Sequence, residues 1–200
     1  MMQKYRLILA DPPWRYNDQG TRLSPSYEGK QRKSSKHYET MSLTEICALG
    51  EWVKQVTAND AILLLWCTHP IKQTHPWPVI KAWGFKYSTA IPWTKARWDQ
   101  KQQRYIFNIG GGKTTRSCSE ELLVCTRGKG ASLVMDRGIP GAIITPRTTH
   151  SKKPVEQYKI AERMVPGGPF LELFARERRP GWDVWGDQIE SHFDYIEGLI

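Results

Sequence analysis

Apolar positions in this chain gather into short runs separated by long polar stretches, the pattern of buried strands alternating with amphipathic helices. Leu7-Ile8-Leu9-Ala10 is the first run. It is too short for a helix and apolar at every position, as a strand covered on both faces requires. Ser42-Leu43-Thr44-Glu45 reads as a capping box, and Leu43, Ile46, Leu49, Val53 and Val56 then follow a helical period up to Asn59-Asp60. Ala61 to Trp66 reads as a second buried strand, which completes a βαβ unit. Residues 71–84 are helical in part, with Pro76 and Pro78 breaking or restarting the helix, and 85–93 supply a third strand. Further strands are expected at 120–127 and 142–144. Pro154 opens a helix through Tyr158, Ile160, Ala161 and Met164, and 170–176 returns as a strand. Strands alternating with helices predict a single α/β domain over 1–200, with ligands at the carboxyl ends of its strands.

The first run ends in Asp11-Pro12-Pro13-Trp14. Two successive prolines lock φ and remove two backbone donors, so the turn is stiff and its carbonyls are short of local partners. A carboxylate, an open carbonyl and the flat face of Trp14 together suit a planar base with an exocyclic amine. The ring stacks on Trp14, and the amine donates to Asp11 and to the Pro12 carbonyl. A proline turn with a surface tryptophan is the plainer account of the same four residues.

Composition narrows the partners. Lys and Arg outnumber Asp and Glu by 29 to 20, a net charge of +9, with an isoelectric point near 9.4. That balance favours a polyanion, although a solvated basic surface accounts for it too. Nine tryptophans exceed what a core of this size needs, so some are expected to stack on bases or on a cofactor. No apolar stretch approaches the roughly 20 residues of a membrane span, and no signal-peptide pattern opens the chain, so a cytoplasmic protein is expected. Cys47, Cys67, Cys118 and Cys125 have irregular spacing, which predicts reduced buried thiols, neither zinc ligands nor disulfides.

Two basic stretches flank the strands. Residues 15–40 carry Tyr16, Arg22, Lys30, Arg32, Lys33, Lys36 and His37, and a segment of this length without periodicity, attached to the proline turn, suits a lid. His37 is equally well a surface residue. Residues 94–118 carry Lys95, Arg97, Lys101, Arg104, Lys113 and Arg116 among Trp98, Tyr105 and Phe107, the mixture with which cations hold phosphates while rings stack on bases. A solvated loop is the alternative. Gly110-Gly111-Gly112-Lys113-Thr114 imitates a phosphate loop, but Phe107 stands where the first glycine is needed. In Arg147-Thr148-Thr149-His150-Ser151-Lys152-Lys153-Pro154 the polar run meets the start of a helix, where an anion is favoured.

The Asp-Pro-Pro-Trp turn resembles the signature of the MT-A seventy family of adenine N(6)-methyltransferases that use S-adenosylmethionine. Three later segments are similar to the family's in the same order: Glu120 to Gly128, the His150-Ser151-Lys152-Lys153-Pro154 box, and Leu171-Glu172-Leu173-Phe174-Ala175-Arg176. The resemblance covers nearly the whole chain. It implies a Rossmann-like class I methyltransferase fold in circularly permuted order, with a mostly parallel sheet flanked by helices. Asp11, Pro12, Pro13 and Trp14 are then catalytic. Lys153, next to Ser151, holds the methionine carboxylate of the cofactor, Arg147 is a mobile basic gate residue, and Glu120 lies near the substrate, although a strand edge explains that glutamate as well. Asp11, Glu172, Phe174, Arg176 and Arg178 face the cofactor. Asp187 and Gln188 grip its ribose and adenine, with Asp187 standing where Asn is usual. Family members often pair, so a homodimer is expected.

The implied chemistry is methyl transfer to the exocyclic amine of adenine in DNA, on an unpaired or extruded base, as in compact prokaryotic or phage members. RNA adenosine is the alternative substrate, and a non-catalytic nucleic-acid-binding subunit is the alternative from another class. A carboxylate, which ordinarily titrates near about pH 4, is too weak a base to deprotonate a neutral amine before attack. Asp11 is therefore expected to act electrostatically on the charge that develops at nitrogen.

Overall fold

A computed structural model of the protein describes residues 4–15, 40–110, 114–148 and 152–193. Its organising strand, β1 (Tyr5–Ala10), sits inside an eight-stranded sheet. The other strands are β2 (Thr57–Cys67), β3 (Lys86–Asp99), β4 (Arg104–Phe107), β5 (Ser119–Arg127), β6 (Ile143–Thr145), β7 (Phe170–Leu173) and β8 (Trp182–Trp185), in the order β4-β3-β5-β2-β1-β7-β8 with β6 on β3. Helices α1 (Leu43–Ala48), α2 (Gly50–Val56) and α3 (Pro76–Ala82) pack on one face and α4 (Glu156–Met164) on the other. Leu7 and Leu9 point to the α4 side and Ile8 and Ala10 to the other, all essentially inaccessible to water. Each such leucine or isoleucine contributes about 1.5–3 kcal/mol of burial.

The sheet is mixed, which corrects the mostly parallel expectation. β1 runs parallel to β2 and β7, and β7 to β8 and β3 to β6, but β5 lies antiparallel to both β2 and β3. The cause is the segment between β3 and β5. It has no helical period to build a crossover, so the chain turns back on itself and must pair antiparallel. Much of the expected basic loop 94–118 is accordingly strand: β3 continues to Asp99 and pairs with β4 as a hairpin.

Several boundaries also differ from expectation. The capping box is present, the Ser42 hydroxyl accepting from the Glu45 amide at 3.2 Å and the Glu45 carboxylate from the Ser42 amide at 2.6 Å. The expected single helix is two, α1 and α2, meeting at Leu49. It ends at Val56, not at Asn59-Asp60, because Thr57 turns extended, donates its hydroxyl to the Val53 carbonyl and joins β1 opposite Tyr5. The Tyr5↔Thr57 and Leu7↔Ile62 pairings leave extra residues in β2, and Asp60 from this bulge accepts from the Lys129 amide at 2.7 Å. Pro76 and Pro78 begin α3, in the first turn where a missing N–H costs nothing. Cys67 and Cys125 are buried, with thiols pushed up to about 12 by that burial, whereas Cys47 and Cys118 are only half-buried. No helix of the described residues is long and apolar enough to cross a membrane.

Candidate active site

The carboxyl end of β1 delivers Asp11 to the α4 side of the sheet and turns at once. The Trp14 amide donates to the Pro12 carbonyl at 2.8 Å, and the Met41 amide donates to that of Pro13 at 2.9 Å. The expected open carbonyl at Pro12 is thus already an acceptor, with one lone pair still available. Trp14 also departs from the sequence reading. Its ring is only 4% exposed, its indole N–H donates to the Trp66 carbonyl at 3.1 Å, and its edge meets His75. A ring buried in this way anchors the turn. The Trp66 carbonyl near the end of β2 needs a donor, and the Trp14 indole N–H supplies one.

Lys153, just ahead of α4, reaches across to this turn. Its amine lies 2.7 Å from both oxygens of Asp11, 3.3 Å from Glu120 and over the ring of Trp66. Glu120, at the start of β5, is also paired with Lys95 of β3. Burial alone lowers the Lys153 pKa, but the carboxylates of Asp11 and Glu120 outweigh it and hold the amine above the ordinary lysine range. Burial likewise raises that of Glu120, and the amines of Lys153 and Lys95 overcome it and keep the carboxyl below its usual range. The four side chains form one largely buried row of alternating charge, Asp11, Lys153, Glu120, Lys95. Glu120 therefore faces inward, with its Oε2 buried and 3.3 Å from the Lys153 amine.

The residues expected around a cofactor are divided by the fold. β1, β7 and β8 are adjacent and parallel, so their carboxyl ends share one edge of the sheet, where Asp11, then Phe174 to Arg176, then Asp187 and Gln188 stand in turn. Phe174 holds a positive φ of 61° and packs its ring on Trp185. The Ala175 amide donates to the Trp185 carbonyl at 2.9 Å, and Gly186 passes so close to Ala175 that a Cβ there falls 2.2 Å from its carbonyl oxygen. Asp187 and Gln188 are exposed beyond that contact, and Arg176 is half-buried. Glu172 lies within β7, buried under α4, where the Tyr158 hydroxyl lies 3.1 Å from each carboxylate oxygen. Burial, with the Asp11 charge adding to it, pushes Glu172 up to about 7 against the opposing Tyr158 hydrogen bond.

Arg178 is not brought to this edge. It donates to the Glu190 carbonyl at 2.8 Å and, with Arg179 and the first residues of β7 and β8, lines a cavity of about 530 Å³. Those strand starts lie at the opposite edge of the sheet from Asp11. The short return from β7 to β8 must cross the sheet to begin a parallel strand, and it carries Arg178 with it.

Of the residues expected to meet nucleic acid, Arg97, Lys101, Arg104 and Arg116 are exposed, the first three on the β3–β4 hairpin. Arg147 is exposed, and its amide donates to the Asn108 side chain at 3.3 Å. Tyr16, Lys30, Arg32, Lys33, Lys36, His37, Lys113 and Ser151 lie outside the described residues. The sequence places Lys95 only among the cations of the basic stretch, and gives Trp66 and Tyr158 no part in the site. Lys95 comes two residues after Trp93 in the same strand, and that alternation is the available sign that both face the same side.

Comparison with known proteins bears on the whole of this arrangement. The MT-A70 family model matches residues 5–188. The type II methyltransferase M.MunI of a Mycoplasma species is 33% identical over 201 residues, covering 95% of this chain and 80% of its own length. The mouse N(6)-adenine-specific methyltransferase METTL4 is 26% identical over 96% of this chain, and the N6-methyladenosine RNA methyltransferase MTA1 of Cryphonectria parasitica 28% over 92%. The chain spans only 39% and 52% of those two proteins. With a proline turn and a lysine box bonded to each other at one sheet edge and a family match that runs almost from end to end, the chain belongs to the MT-A70 family of S-adenosylmethionine-dependent methyltransferases.

Proposed function

We propose that this protein methylates the exocyclic amine of adenine in DNA, on a base that is unpaired or turned out of the duplex. The observation that carries the reading is the Lys153–Asp11 contact, which joins the signature turn to the lysine box in one place. The side chains present fit the amino-acid end of the cofactor. Lys153 is a largely buried cation for a carboxylate, and Glu120, whose Oε2 lies 3.3 Å from that amine, adds a carboxylate beside it toward an ammonium. Phe174, Arg176, Asp187 and Gln188 continue along the same edge for the ribose and adenine. The catalytic turn comes first in the chain and the cofactor segments last, which supports a circularly permuted order.

When bound, S-adenosylmethionine supplies an electrophilic methyl on a sulfonium, already equipped with a good leaving group. The protein has to position and to stabilise charge. Each Asp11 oxygen accepts from Lys153 and keeps capacity for a second donor, so the carboxylate can take an N–H of the substrate amine while it stays fixed. The second lone pair of the Pro12 carbonyl offers an acceptor beside it. Two acceptors turn the amine toward tetrahedral geometry and stabilise the positive charge that grows on nitrogen. Alignment of amine and methyl is worth up to about 7–11 kcal/mol of the barrier.

DNA is favoured because the type II methyltransferase M.MunI is 33% identical to this chain, against 28% for the relative named for RNA. RNA adenosine is the second reading, favoured by that same relative's name. Mass spectrometry of nucleosides after incubation with single-stranded DNA, duplex DNA and RNA tests both. N6-methyldeoxyadenosine, formed faster on single strands than on duplex, is expected. Product on RNA alone rejects the DNA reading, and product on neither rejects the activity.

A further inference from the structure

The β3–β4 hairpin leaves the sheet at the catalytic edge. β1 is parallel to β2, and two successive antiparallel pairings, β2 with β5 and β5 with β3, restore the direction, so β3 runs parallel to β1; its last residues pass beyond the start of β5. Lys95, at the base of this projection, is the last member of the charged row that begins at Asp11. At about 3.3 Å per residue, Trp98 stands roughly 10 Å further out.

The hairpin has two unlike faces. In its antiparallel register Ala96 lies opposite Phe107 and Trp98 opposite Tyr105, so the aromatic rings share one face; Arg97 opposite Ile106 and Asp99 opposite Arg104 share the other. Trp98 and Tyr105 meet edge to face at 5.1 Å. Trp98 is 43%, Tyr105 45% and Phe107 51% exposed, unusual for three large rings on four residue pairs. Residues 94–118 carry six cations and one carboxylate, Asp99. Exposed rings within a segment of excess positive charge match an unpaired strand, whose bases stack on π-faces while its phosphates meet cations.

We propose that Trp98, Tyr105 and Phe107 form a stacking surface for unpaired bases next to the target nucleotide, and that the hairpin grips a single strand leading to Asp11. The inference rests on the nucleic-acid reading above and names the part of the substrate that these rings hold. A second copy of the chain docking on the same rings is the competing occupant, and the charge of the hairpin disfavours it, because two such hairpins repel.

The test is fluorescence anisotropy of a labelled oligothymidylate with the full chain, in parallel with sedimentation velocity. Oligothymidylate contains no adenine, so its binding is independent of methyl transfer. A Trp98→Ala, Tyr105→Ala double variant is expected to weaken binding by about tenfold or more, Trp98→Phe to stay close to wild type, and Trp98→Leu to lose as much as Trp98→Ala alone, because leucine keeps bulk without a π-face. Unchanged binding in the double variant, or full recovery with leucine, overturns the proposal. So does conversion of a wild-type dimer to monomer by the same substitutions. Absence of methyl transfer by the wild-type protein removes the adenine reading, whereas the hairpin stands or falls on the anisotropy.

Discussion

At Lys153 one amine faces both oxygens of Asp11 and the carboxylate of Glu120. Removing it leaves two largely buried carboxylates facing each other, and a buried pair broken in this way costs about 3 kcal/mol. Lys153→Ala is therefore expected to lose both S-adenosylmethionine affinity in calorimetry and stability in urea unfolding. Adding Asp11→Asn to it should return part of the stability, since the uncompensated charge is then gone; strict additivity of the two losses refutes the coupling. Asp11→Asn alone should lower kcat by about 10²–10³-fold, the scale of one lost charge-stabilising group, with cofactor affinity within severalfold. Both motifs are legible as strings, but their contact joins residues 142 apart in the chain, and no local pattern encodes that. Trp14 departs from its sequence reading for a related reason. A tryptophan after two prolines looks the same whether it faces water or core, and what decides it is a distant carbonyl, that of Trp66.

Among the elements, α2 and α3 meet at a glycine that no sequence pattern singles out. A Cβ on Gly50 falls 2.6 Å from the backbone oxygen of Ala82, so the end of α3 approaches only because the side chain is missing. Helix propensity alone favours Gly50→Ala by about 1 kcal/mol. The overpacking should reverse the sign and destabilise by about 1–3 kcal/mol, measured by thermal unfolding. Periodicity reports which face is buried, and it does not report where a neighbour crosses. Between β7 and α4, Glu172 is raised to about 7 chiefly by burial, so the folded protein holds its proton more tightly than the unfolded chain. Its contribution to stability is full below the unfolded carboxyl range of about 4.3 and is lost as pH rises through about 7, by up to about 3 kcal/mol. Glu172→Gln should flatten that fall. Urea midpoints of both proteins at about pH 5 and about pH 8 check it, and parallel pH dependences refute it.

For the whole molecule, the question is whether a charge of +9 is a general solubility surplus or a footprint for phosphate. Composition supplied the sign but not the placement, because the fold had first to turn residues 94–118 from an expected loop into a hairpin at the catalytic edge. Arg97, Lys101, Arg104, Arg116 and Arg147 are all exposed. The bond of Arg97 to Asp99, at 3.5 Å in water, is too weak to hold its guanidinium away from a phosphate. Each phosphate neutralised on a single strand adds about −0.7 to the slope of log affinity against log salt, so these five cations predict a slope near about −3.5. Arg97→Ala with Arg104→Ala should flatten it by about 1.4 and weaken every sequence alike, because phosphate contacts carry no base information. A charge spread evenly over the surface predicts instead that any two exposed cations matter equally. Replacing Lys81 and Lys86, at α3 and the start of β3 and so away from that edge, supplies the comparison. If that pair changes the salt slope as much as the hairpin pair does, the basic charge is diffuse and the hairpin is not where the nucleic acid lies.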